Sequence, residues 1–191
     1  MLGESAVAAI EARLDAMLDA ASLADYTGEL SLRAGRRLLV RRDAFKREVR
    51  PEELVGAFTL ELSARDPFEE ASSETSLNWT IAASGATISV ASSGTADALA
   101  AVALTATGTL IDPAVSDGTR TISFSGTVAS GKVITFDAVS RKVTINSADV
   151  TPYTAGQFPR IAPEGTTLRY TDASGSSHAA AATVKYRSRW W

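Results

Sequence analysis

Apolar residues recur at three- and four-residue spacing near the start of the chain: Val7, Ile10, Leu14, Met17, Leu18 and Ala21. Glu11, Asp15 and Asp19 fall on the opposite side. This pattern predicts an amphipathic helix over Ser5–Leu23 with an acidic outer face, and Ser5 is placed to cap its first turn. After Gly28 the period shortens to two. Strands are predicted over Glu29–Arg33, Arg36–Arg42 and Phe45–Arg50, with tight turns at Ala34-Gly35 and Asp43-Ala44. Leu54–Ala64 follows as a longer strand, with Phe58, Leu60 and Leu62 on one face and Thr59, Glu61 and Ser63 on the other. It stops at Asp66-Pro67, because proline has no N–H for a ladder. Glu69–Ser76 is polar and reads as a linker.

Beyond it, short strands come at the regular spacing of a sandwich: Leu77–Ala82, Ala86–Ser92, Leu99–Thr107, Gly108–Val115, Thr119–Ser125, Lys132–Asp137, Arg141–Asn146, Thr166–Asp172 and Ala179–Arg187. Ser84-Gly85, Ser93-Gly94, Asp117-Gly118, Ser130-Gly131 and Ser174-Gly175 mark turns where glycine supplies positive φ. The clearest hairpin is Lys132–Asn146. Ile134 and Phe136 point one way, Val133, Thr135 and Asp137 the other, and Val143 and Ile145 share a face across the Ala138–Ser140 turn. Pro159, Pro163 and Gly165 then bend the chain before it re-enters as a strand at Thr166.

Composition narrows the chemistry. The chain has 191 residues, 45% of them hydrophobic and 21% charged, as in ordinary globular proteins. It has no cysteine and one histidine, His178. That excludes disulfides, thiolate metal sites, cysteine nucleophiles and a multi-histidine metal site within one chain. No apolar run approaches a membrane span, and the first residues do not resemble a secretion signal, so an intracellular product that leaves by lysis is expected. The formal net charge of −3 argues against a nucleic-acid binder. The local cluster of Arg33, Arg36, Arg37, Arg41, Arg42, Lys46, Arg47 and Arg50 is the one feature that favours phosphate contacts. Only Phe45 interleaves with it, and Asp43 and Glu48 dilute it. A strand edge in water, or a patch meeting an acidic surface on another subunit, fits it better.

Glycine-rich nucleotide loops, nucleophile elbows and calcium loops are absent from the sequence. His178 sits in the polar turn Ser176–His178 and reads as a solvated loop residue. Trp79, Tyr153 and Tyr170 form either a sugar-stacking row or core and interface aromatics, the latter being the simpler reading. Trp190 and Trp191 are costly to leave in water, so they fold back or dock on a partner.

Gly131–Asn146, with Asp137, Arg141-Lys142-Val143 and Asn146, resembles the C-terminal half of phage distal tail proteins, the siphophage tail components. So do Phe158-Pro159, Pro163–Leu168 and the closing Val184–Trp190. Phe58–Phe68 and the helix before it are similar to the family's N-terminal domain, in matching order. The resemblance implies a mainly β chain: an N-terminal helix with a small antiparallel sheet over 1–70, the belt or ring-forming domain, then a galectin-like antiparallel β-sandwich over 71–191. The family usually carries β-structure before the helix, and here the helix begins almost at once, so the belt is abbreviated or another chain completes it, a departure from the family's usual ring geometry. The implied role is structural rather than enzymatic, with no cofactor and no metal. A homo-oligomeric ring, hexamer or trimer, would join the tail tube protein to tail hub and tip proteins in the virion, after synthesis in the host cytoplasm. The expected contact residues are Arg36, Arg37, Arg41, Arg42 and Arg47, Glu11, Asp15 and Asp19, and Trp190 and Trp191. A carbohydrate-binding sandwich for host-surface recognition is the alternative.

Overall fold

The computed structural model describes the backbone of residues 2–20, 28–51, 53 and 55–191, and the helix side chains of residues 6–16. The chain divides into two compact units, Met1–Glu69 and Glu70–Trp191.

The first unit holds helix α1 (Leu2–Ala20) and strands β1 (Gly28–Leu30), β2 (Arg36–Arg50) and β3 (Val55–Ala64). The helix starts earlier than its apolar period predicts, so Ser5 stands inside it rather than at its cap. The expected positions Met17, Leu18 and Asp19, and residues 21–23, lie outside the described side chains. β1 is short because Ser31 turns the chain: its hydroxyl donates to the carbonyls of Arg33 (3.1 Å) and Arg36 (3.0 Å).

The Asp43-Ala44 turn expected from sequence is a β-bulge inside one continuous strand. Arg42 pairs with Leu62 and Ala44 with Glu61, leaving Asp43 as the extra residue. Cross-strand partners share a face, and a bulge shifts the phase of alternation by one. Val40 and Arg42 therefore share a face with Phe45, Arg47 and Val49, as do their partners Gly56, Phe58, Leu60 and Leu62. Helix α1 packs on this face. Leu14 is 4% exposed and Val40 2%. The helix comes so close that a Cβ at Gly56 would stand 2.4 Å from Ile10 Cγ2. The rings of Phe45 and Phe58 stack beside it with centroids 5.8 Å apart.

The second unit is a sandwich of antiparallel sheets. Its strands are β4 (Glu69–Ala71), β5 (Thr75–Ile81), β6 (Thr87–Val90), β7 (Ala98–Ala106), β8 (Leu110–Ile111), β9 (Ala114–Ser116), β10 (Thr121–Phe124), β11 (Thr127–Val128), β12 (Val133–Asp137) and β13 (Lys142–Ile145). They continue as β14 (Ala148–Asp149), β15 (Thr154–Gly156), β16 (Arg160–Ile161), β17 (Thr166–Thr171), β18 (Ala180–Tyr186) and β19 (Arg189–Trp190). One sheet runs β14-β13-β12-β7-β18-β5, with β16 also on β7; the other runs β15-β10-β9-β17-β6. Mainly β with one N-terminal helix and antiparallel sheets is the fold class expected from the sequence.

The core lies between these sheets. The first contributes Val102, Leu104, Ile134, Phe136, Val143 and Val184, and the second Val90, Val115, Ile122, Leu168 and Tyr170. The Lys132–Asn146 hairpin behaves as its pattern predicts, with Ile134, Phe136 and Val143 buried and Val133, Thr135 and Asp137 half-buried. Large rings face small neighbours: Trp79 pairs with Ala182, and Tyr186 with Ala100.

Several local expectations change. Gly108–Val115 is not one strand. Asp112 takes φ +49° and its carboxylate accepts the Gly126 N–H at 2.8 Å, so the chain leaves β8 and joins the other sheet as β9. Glu69–Ser76 is no plain linker, since Glu69–Ala71 and Thr75 onward are strand; the Ala71 N–H donates to Ser188 O at 2.9 Å. The proline-flanked Arg160–Ile161 does join a ladder, pairing with Leu99 and Ala98. Gly94 and Gly175 do not take the positive φ expected of their turns. Gly94 is required by proximity instead: a Cβ there would lie 2.1 Å from the Arg189 carbonyl oxygen, which accepts the N–H groups of Thr95 and Ala96.

Gly56→Ala is expected to destabilise the helix–sheet contact by about 1–3 kcal/mol through overpacking. Hydrogen exchange of the α1 amides measures this, and the cost should shrink in an Ile10→Ala background, where the opposing methyl is gone.

Candidate functional site

The strongest charged surface lies in the first unit, and it is largely paired within the chain. Arg33 and Arg36 both donate to the buried Glu69 carboxylate, at 3.1 and 3.2 Å. Arg37 bonds Glu29, and Arg47 bonds Asp15 of the helix. Arg41 Nε donates to Asp43 at 3.0 Å, Lys46 meets Glu61 at 3.7 Å, and Arg50 reaches Glu48 at 2.8 Å. Arg42 is half-buried and Glu11 exposed; the Asp19 side chain lies outside the described residues. The acidic helix and the basic strands thus meet each other in one copy. Exposed pairs of this kind are each worth a few tenths of a kcal/mol. What they leave in water is apolar: Leu32 is 66% exposed, Phe58 49% and Val55 48%.

The two terminal tryptophans separate. Trp190 is half-buried in β19, while Trp191 is 75% exposed and its N–H donates to Thr95 Oγ1 at 3.3 Å. Of the three aromatics considered for sugar stacking, Trp79 and Tyr170 are core residues at 5% and 0% exposure, and only Tyr153 reaches solvent. They form no exposed row.

His178 is not a free loop residue. Its Nδ1 lies 2.6 Å from Asp172 Oδ1, and Tyr170 donates its hydroxyl to Asp172 Oδ2 at 2.7 Å. Ser84 Oγ accepts the Asp172 N–H at 3.0 Å. Burial pushes the Asp172 carboxyl up, but hydrogen bonds from Ser176, Tyr170, His178 and Ser84 outweigh it and hold it below the usual carboxylate range. Burial and then the bond to Asp172 push the Tyr170 hydroxyl well above its ordinary value. The cluster ties the 172–178 loop to the sheet.

The second unit also has a polar cleft of about 660 Å³, lined by Thr87, Arg120, Arg160, Thr167 and Arg169 among others. Asp117 organises one wall. Its carboxylate accepts the N–H groups of Thr119 (2.9 Å), Arg120 (2.6 Å) and Arg160 (2.9 Å) and the Arg120 guanidinium at 3.2 Å. Burial raises it, and these bonds more than reverse that, so it too sits low. Sequence reasoning missed this cleft. Arg160 and Asp117 are 43 residues apart and each reads locally as a turn residue; no periodicity joins them.

Among the described residues, no three His, Asp or Glu side chains are placed to hold a metal ion, and no helix is long and apolar enough to cross a membrane.

Residues 93–190, just over half the chain, match the family model of the siphovirus-type tail component, C-terminal domain. Among solved structures, the chain is similar to the SPP1 Dit (gp 19.1) protein, described as a paradigm of hub adsorption apparatus in Gram-positive infecting phages. That similarity has a TM-score of 0.62 at 12% identity, covering 84% of this chain and 63% of that one. The chain therefore spans less than two thirds of that protein's length. No curated protein matches.

Two outcomes follow from the site geometry. Trp79→Ala is expected to cost about 3–5 kcal/mol as a core truncation, read by urea denaturation, with no effect attributable to a lost stacking surface. Asp117 and Asp172 have folded-state values below 3.8, so the stability they contribute is complete above that pH and is lost as pH falls through the folded values. Urea midpoints should therefore drop more steeply as pH falls below 3.8 in the wild type than in Asp172→Asn.

Proposed function

The chain belongs to the siphovirus-type tail component family, and from that premise we propose that it is a structural protein of the tail tip that assembles into a ring. The ring, a hexamer or trimer, joins the tail tube to hub and tip proteins, in the virion after synthesis in the host cytoplasm. On this reading the first unit is the ring-forming domain and the sandwich faces the tip proteins. The role is architectural, with contact surfaces in place of a reaction centre.

The observation that carries the ring reading is the first unit's surface. A lone copy leaves Leu32, Leu39, Val55 and Phe58 exposed, around strands whose charges are already matched. A head-to-tail contact between copies closes into a ring when its rotation closes. Apolar side chains supply the driving area of such a contact. The charges expected at this contact, Arg36, Arg37, Arg41, Arg42, Arg47, Glu11, Asp15 and Asp19, would then fix its register, several of them by exchanging their partners between copies. Trp191, exposed at the end of the second unit, is the contact proposed for a tail partner, with Trp190 beneath it. The carbohydrate reading gains nothing from the buried Trp79 and Tyr170.

Light scattering coupled to size exclusion, with negative-stain imaging, tests the ring. Phe58→Glu should shift the mass from oligomer to monomer while leaving the far-ultraviolet spectrum intact. Arg47→Glu should weaken assembly less, by about a factor of ten or below. A wild-type chain that stays monomeric at high concentration, alone and with tail proteins, would defeat the proposal.

A further inference from the structure

A structural role in a tail does not account for the cleft on the second unit's sheet. Its floor is a single register line across three strands. Arg169 of β17 pairs with Thr87 of β6 on one side and with Ser116 of β9 on the other. Thr167, two residues before Arg169 and like it exposed, shares that face.

The six charged side chains that line the cleft, Asp97, Asp117, Arg120, Arg160, Glu164 and Arg169, balance formally. They pair off unevenly, Asp117 with Arg120 and Asp97 with Arg160, which leaves Arg169 and Glu164 without an ion pair among the described residues. The Asp117 side chain is 4% exposed, and its charge is consumed by three N–H groups and the Arg120 guanidinium. Arg160 meets Asp97 only at 3.5 Å, with both ends solvated, a pair of small worth. The Arg169 guanidinium has no ion pair or hydrogen bond among the described residues. It lies across Gly85, where a Cβ would come within 3.3 Å of its Nη2, so the missing side chain leaves it room. The hydroxyls of Thr87 and Thr167 likewise have no partner among the described residues. No aromatic ring lines the cleft, so it offers nothing to stack a sugar or base against.

We propose that this cleft binds an oxyanion, a phosphate or carboxylate carried on a small hydroxylated ligand, with Arg169 as the principal contact and Arg160 as the second. A planar guanidinium fork matches either group through two parallel hydrogen bonds. Thr87 and Thr167 supply bonds to the ligand's hydroxyls. Glu164, on the rim, opposes binding.

The test is an amide-shift titration of the ¹⁵N-labelled full chain with glycerol phosphate, glucuronate and glycerol. Saturable shifts at Gly85, Thr87, Thr167 and Arg169 are expected with one or both anions and none with glycerol. Saturation by one anion alone identifies which group the site takes. Arg169→Ala should weaken binding at least tenfold, Arg169→Lys less because the point charge remains, and Glu164→Gln should tighten it a few-fold. All are exposed positions, and an unchanged amide spectrum away from the cleft confirms that each variant folds. Glycerol binding as tightly as the anions overturns the proposal, as do shifts that never saturate or that survive Arg169→Ala. A hexaglutamate peptide binding far more tightly than both small anions overturns it in favour of an acidic protein surface.

Discussion

Trp79 stands beside Ala182 and Tyr186 beside Ala100, and the sandwich depends on this matching of a large ring to a methyl on the neighbouring strand. A core of uniformly large side chains would force the sheets apart, and one of uniformly small ones would leave voids. Alternation along β7 and β18 buries alanine at five positions, Ala98, Ala100, Ala106, Ala180 and Ala182, and the rings and branched residues fill what they leave. The alanine-rich texture of the second half, unpromising as a core by composition, is what lets the aromatics in.

Polar groups do the corresponding work at the margins. Asp117 draws together two stretches of chain 43 residues apart, and Asp172 ties a loop to the strand before it. Both carboxylates accept more than one bond from backbone or side chain, so neither is a buried unpaired charge. In the first unit the same logic runs through arginine: Glu69 is buried because Arg33 and Arg36 both reach it. The charges that look in sequence like an attractive surface are mostly one half of an internal pair.

Much of this was legible in the residue pattern. Period-two alternation located the long strands and the faces of the Lys132–Asn146 hairpin, because a half-buried strand must alternate. The terminal helix was legible for the same reason at period 3.6. Strands of two or three residues, such as Thr127–Val128, Thr154–Gly156 and Arg189–Trp190, were not, since two residues carry no period. Asp112-Pro113 hid a change of sheet inside an apolar run. The pairing of Arg47 with Asp15, and the cleft around Asp117, depend on contacts between distant residues that no local pattern contains. Trp79 and Tyr170 show the opposite limit: sequence names an aromatic, but only the packed sheet says which way it faces.

The bulge at Asp43 gives β2 a property of its own. It is two stretches spliced half a repeat apart, each correct for its own side of the splice. Losing Asp43 would close the splice into a regular ladder: Arg42 would still meet Leu62, Ala44 would still meet Glu61, and Phe45, Arg47 and Val49 would keep the helix face. The extra residue is therefore not what aims those side chains; what it adds is a local bend and a stronger twist in the hairpin. Chains that share this hairpin can differ by that one residue and still present the same face, with the curvature of the sheet as the quantity that changes.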